Sequence, residues 1–185
     1  MKKVLKFLGI RHYSMTEVIL FILLFAAMLI FTTKFIIKFD SRADICLHFV
    51  PIFIMGALFG PWASATASLT AYIVSAFYFE GERMLIPLCV TALISGFVYG
   101  YLFYNKCELS KSFFKRAALC IAIQYVLYVF ADTAIISAFD KTKDFGDIYS
   151  LRTIAAFVEL FMQAAFIMLA PKYVGAFLEL INKNN

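Results

Sequence analysis

Apolar residues gather into six long runs along the chain, and most polar residues fall between them. The runs cover about 16–33, 45–59, 62–79, 84–104, 117–138 and 153–169. A helix needs about 20 largely apolar residues to cross a bilayer. Most of the runs approach that length, and the second falls short of it. The intervening segments carry charge or turn chemistry: Asp40-Ser41-Arg42-Ala43-Asp44, the Gly60-Pro61 step, Glu80-Gly81-Glu82-Arg83, the basic stretch 105–116, and Asp140 to Asp147. Residues 1–14 interleave Lys2, Lys3, Lys6 and Arg11 with Leu5, Phe7, Leu8 and Ile10, which predicts an amphipathic segment lying on a membrane surface. The pattern predicts an all-α membrane protein: six transmembrane helices in one integral membrane domain, 1–185, with both termini on the same side.

The stretch His48 to Gly60 (HFVPIFIMGALFG), closed by Pro61-Trp62, is the most concentrated of these runs. A helix apolar all round must be enclosed by protein or by lipid. In a 185-residue chain that is 63% hydrophobic, lipid is the expected neighbour.

Composition narrows the class. A mean hydropathy of +0.86 with 16% charged residues lies outside the soluble globular range, where about a quarter are charged. The 22 Phe and 10 Tyr suit lipid-facing bulk and interfacial anchors. The first apolar run is too long for a cleavable signal and lacks a small-residue cleavage pattern. Cys46, Cys89, Cys107 and Cys120 form no CxxC and no metal spacing with histidine, so buried thiols are expected and no disulfide framework is implied. A net charge of +5 fits orientation and anionic lipid contact, not nucleic acid. Ten basic residues fall on the side of the termini and seven on the other, the latter mixed with acids. The positive-inside rule therefore predicts cytoplasmic termini.

Ionisable groups inside spans are costly and mark function or an interior contact. Asp132 and Glu159 qualify, with Gln124, Gln163 and Thr133 nearby in sequence; they either serve a ligand or pair with loop lysines and neighbouring helices. The outer loops offer a second cluster: Lys34, Asp40, Arg42, Asp44 and His48, then Arg83, then Lys143 and Arg152. An anionic ligand leaving water needs cations of this kind. Tyr72, Tyr125, Tyr128 and Phe130 offer faces for a planar ring. There is no HExxH, GxSxG or Gly-rich phosphate loop, so no enzyme and no cofactor is indicated. Without a nucleotide site, transport would draw its energy from a partner or a gradient.

Three stretches carry a family resemblance. They are Thr32-Thr33-Lys34-Phe35, then Phe49 with Pro51-Ile52, Gly56, Leu58, Phe59, Gly60 and Pro61, and finally the SGxxYG run of Ser95, Gly96, Tyr99 and Gly100. Together they resemble the vitamin-binding S components of energy-coupling factor (ECF) transporters, the folate type especially. That likeness implies an S-component-like bundle capturing a small-molecule vitamin, most simply folate, outside the bacterial plasma membrane. It implies partners too: a transmembrane coupling subunit with two ATPase subunits, docked on a small-residue face that survives as Ala26-Ala27. Lys34 stands where the family has arginine, which keeps the charge and loses the bidentate fork. The site residues expected from residues and resemblance together are Lys34, Arg42, His48, Tyr72, Arg83, Tyr128 and Asp132. Alternatives are an S component for another micronutrient, a non-transporting membrane scaffold of the same fold, or an intramembrane enzyme built on Asp132 and Glu159.

Overall fold

The computed structural model describes residues 15–40, 43–78, 86–139 and 145–183. Six helices and one hairpin make up this part of the chain: α1 (Met15–Lys34), β1 (Ile36–Asp40), β2 (Ala43–Cys46), α2 (Phe49–Phe59), α3 (Pro61–Tyr78), α4 (Ile86–Phe103), α5 (Lys111–Phe139) and α6 (Phe145–Lys183). The all-α membrane architecture is as expected. By length and composition α1, α4, α5 and most of α6 can each cross a membrane.

The largest departure concerns α2. With 11 residues it extends only about 16 Å at 1.5 Å per residue, roughly half the hydrocarbon thickness. Ten of those residues are buried, so protein, not lipid, encloses it. α2 is the axle of the bundle. Phe53 meets Tyr99 and Phe103 of α4 and Phe166 of α6, with ring centroids 5.9, 4.9 and 5.7 Å apart. Phe59 meets Phe21 of α1 at 5.4 Å. Such a helix is apolar on every side because neighbouring helices touch every side.

The residues before α2, expected as a polar loop and the start of a span, form an antiparallel hairpin instead. Ile36 pairs with Cys46, Ile37 with Ile45, Lys38 with Asp44 and Asp40 with Ala43, with the register shifting between Lys38 and Asp40. The hairpin packs against α6. Pairing its own backbone groups lets this segment approach the bundle without orphaned amides.

Glycines set how closely the central helices meet. Gly60, at φ 99° between α2 and α3, takes a backbone conformation that side chains disfavour, and its N–H bonds to the Gly56 carbonyl at 3.1 Å. A Cβ on Gly96 would lie 2.7 Å from Ser68 Cβ and 2.8 Å from Ala65 Cα, and one on Gly100 would run into Pro61 and Gly60 backbone. Gly96 and Gly100 thus form a small-xxx-small face on which α3 lies, the usual means of close helix approach in lipid. Polar links reinforce the contact. Ser64 donates to the Gly96 carbonyl at 2.7 Å. Ser95 donates to Gln124 Oε1 at 2.8 Å, and Gln124 Nε2 returns a bond to the Ser95 carbonyl at 3.1 Å.

α6 continues through Pro171 to Lys183, past the expected end of the sixth span. Proline removes one helical bond, that to the Ile167 carbonyl. Burial of Ile167, Ala170 and Val174 holds both flanks in the core, and the helix tolerates the loss.

Candidate functional site

Antiparallel packing fixes which helix ends share a side. Gly96 faces the Ser64–Ser68 turn while Gly100 faces Pro61, so α4 runs against α3. Ser95 meets Gln124 and Thr91 stands beside Asp132, so α5 runs against α4. Arg152 meets Asp132, and α6 turns back along α5. The end of α1, the hairpin, the end of α3, the start of α4, the end of α5 and the start of α6 therefore gather at one end of the bundle.

Beneath this hairpin end the column of α2 is short. Thr91 lies eight residues before Tyr99, about 12 Å by helical rise, and Tyr99 is where α4 meets Phe53 of α2. Beyond the start of α2, the hairpin half of the bundle is thus formed by α3 to α6, with the hairpin packed on α6.

Arg152 dominates this half. Its Nη2 lies 3.3 Å from Asp132 Oδ2, with the two side chains only 6% and 18% exposed. Its Nε donates to the Tyr128 carbonyl at 3.1 Å, and its guanidinium carbon sits 4.0 Å from the centre of the Tyr128 ring. One arginine therefore joins a carboxylate, a carbonyl and an aromatic face. Its planar fork can do this where an ammonium could not. A π-helical turn, Val126–Ala131, precedes Asp132 and contains Tyr128. Such turns interrupt the regular ladder and concentrate at functional sites.

The expected site residues divide three ways. Tyr128 and Asp132 are brought together, through Arg152. Lys34, His48 and Tyr72 come from three other elements: Lys34 exposed at the last turn of α1, His48 half-buried at the N-cap of α2, and Tyr72 half-buried in α3. Arg42 and Arg83 lie outside the described residues. Among the aromatic candidates, Tyr125 packs edge-on against Phe130 at 6.0 Å, and Phe130 is exposed. Asp132 pairs with an arginine rather than a loop lysine. Glu159 accepts from Gln163 at 3.1 Å, so the two intramembrane acids occupy separate arrangements. Among the described residues no group of three metal-ligating side chains occurs.

Arg152 is the functional candidate that the sequence pattern undervalued. Placed just before a span beginning at 153, it counts as one more loop cation. α6 in fact begins at Phe145, which sets Arg152 about 10 Å into the helix. The usable signal was charge balance, because an intramembrane Asp132 requires a cation at its own depth.

No family model and no curated protein sequence matches the chain. Among solved structures, a crystal structure of FolT bound with folic acid superposes with a TM-score of 0.68 at 20% identity, covering 89% of this chain and 94% of that one. The fold is FolT-like. Coverage of nine-tenths of both chains means that the bundle as a whole, not one helix pair, is held in common. The S-component-like architecture expected from the FGP and SGxxYG stretches therefore stands, and both stretches prove to be its packing hinges: Gly60 at the α2–α3 turn, Gly96 and Gly100 on the close face of α4.

Proposed function

We propose that the chain is the substrate-binding S component of an ECF-type importer, taking folate or a close relative at the hairpin end of the bundle. The observation that carries this reading is the likeness, over nearly the whole of both chains, to a protein solved with folic acid bound. The site chemistry supports it. The Arg152–Asp132 pair and the Tyr128 face provide charge, hydrogen-bonding groups and a π-surface, as a fused heterocycle bearing polar edges requires. Lys34, and Arg42 in the loop beyond the described residues, are the cations proposed for the ligand's carboxylates.

In this reading the hairpin end faces outward and both termini face the cytoplasm of a bacterial cell. A transmembrane coupling subunit with two ATPases would supply the energy. Ala26, exposed on α1 among Ile19, Ile22, Leu23 and Ile30, and the half-buried Ala27 lie on the face proposed for docking, where small residues permit close approach.

Calorimetry of the detergent-purified chain with folic acid tests the ligand: one-to-one binding is expected. A heat trace identical to buffer dilution sinks the reading, and binding of a different vitamin retains the S component while replacing its ligand.

Orientation has its own test. A cysteine at position 146 would stand in open space, and Leu109 is 67% exposed at the opposite end. On intact cells a membrane-impermeant maleimide is expected to label the Gly146→Cys variant at once and the Leu109→Cys variant only after permeabilisation. Cys107 should not compete, because burial pushes its thiol up to about 12 against the smaller pull of Arg116. It therefore carries almost no thiolate at neutral pH. The inverse labelling pattern would put the hairpin end in the cytoplasm.

A further inference from the structure

The Asp132 carboxylate meets Arg152, and the Thr91 hydroxyl beside it donates its proton to the Leu88 carbonyl at 3.0 Å. Oδ2 accepts from Arg152, while Oδ1 is buried without a hydrogen-bond partner in the chain. A buried acceptor left unmade costs about 1–3 kcal/mol, and more when it is charged. The orphaned hydroxyls of Thr32 and Thr133 are neutral by comparison. A carboxylate offers about four lone-pair positions, so after Arg152 has taken one, Asp132 can still receive two parallel N–H donors. Arg152 itself is already engaged by Asp132 and by the carbonyl and ring of Tyr128.

From this geometry we infer that Asp132 reads an N–H donor edge on the ligand's heterocycle, a ring N–H beside an exocyclic amino group as in a 2-aminopyrimidinone, and that Arg152 is a positioning residue holding that carboxylate rather than the partner of a ligand carboxylate. The inference rests on the proposed function, since it names which part of a folate-like molecule meets this half of the site. Oδ1 takes the exocyclic amino hydrogen and the second lone pair of Oδ2 takes the ring N–H. The edge of the Tyr128–Arg152 stack lies alongside. The ligand's carboxylates are left to cations elsewhere at the hairpin end.

The test compares folic acid with its 2-desamino-2-methyl analogue, which keeps shape and carboxylates and lacks the amino donor. Hydrogen bonds to charged groups contribute about 1.5–3 kcal/mol, so the analogue is expected to bind the parent protein about 10- to 150-fold more weakly. Asp132→Asn turns an amide donor toward the same edge; it should weaken folic acid by a similar factor and shrink the gap between the two ligands to about threefold or less. Asp132→Glu keeps the charge opposite Arg152 but displaces the oxygens. It serves where the asparagine variant does not fold, and it too should narrow the gap. Equal binding of both ligands by the parent overturns the inference and leaves the folate reading standing. A full gap persisting in a folded Asp132 variant moves the donor contact to another residue and also overturns it. Failure of the parent to bind folic acid removes both.

Discussion

Replacing Arg152 by alanine is expected to destabilise the bundle by about 3–5 kcal/mol and to abolish ligand binding. The loss comes less from the missing attraction than from what stays behind. Asp132, only 18% exposed beside Arg152, would keep a charge at membrane depth with no cation, and the Tyr128 carbonyl would lose its side-chain donor. For a chain of this size the loss corresponds to a fall of about 6–20 °C in melting temperature, measurable by scanning fluorimetry in detergent. A double variant, Asp132→Leu with Arg152→Met, separates stability from function. With both charges gone no uncompensated ion is buried, and such replacements are often neutral or stabilising. Near-parental melting with no folic acid binding is expected. An Arg152→Ala protein that melts like the parent would show that the pair is dispensable to the fold.

The second large effect is expected at Gly100. Its Cβ would be driven into the backbone of Gly60 and Pro61, where no flexible side chain can move aside. Gly56 closes the same junction from α2, its own Cβ position being 2.8 Å from the Gly100 amide. Gly100→Ala must therefore separate α4 from the α2–α3 turn, and overpacking costs of about 1–3 kcal/mol, occasionally more, apply at their upper end. Gly146→Ala is the control, because its Cβ would meet nothing within 4 Å, and its melting temperature should stay within about 2 °C of the parent. A Gly100→Ala protein equally unmoved would mean that the α2–α3–α4 junction has slack the packing does not suggest.

Hydrophobic pattern alone determined the membrane class and the six helices among the described residues. The reason is that insertion of a helix in lipid depends on composition over about 20 residues, a property local to the chain. Met15–Lys34 and Pro61–Tyr78 fall within a residue of their expected spans on that basis. Gly60, Gly96 and Gly100 were legible as special positions because few residues substitute for glycine at a sharp turn or a close crossing.

Tertiary structure decided everything that depends on what stands beside a residue. The run 49–59 reads as lipid-facing by composition, yet neighbouring helices bury it, and apolar side chains in lipid and in a protein core look alike along the sequence. The hairpin over 36–46 arises from pairing between residues up to ten apart and from packing on α6, which no helical or strand period announces in so short a polar segment. Asp132 was visible as an intramembrane acid, but its partner lies 20 residues on, and only the antiparallel packing of α5 and α6 brings Arg152 to it. The sequence thus supplied the charges and the helices. Which charge meets which was settled by long-range helix packing, because an ion pair at membrane depth is fixed by the geometry of two helices and not by either one alone.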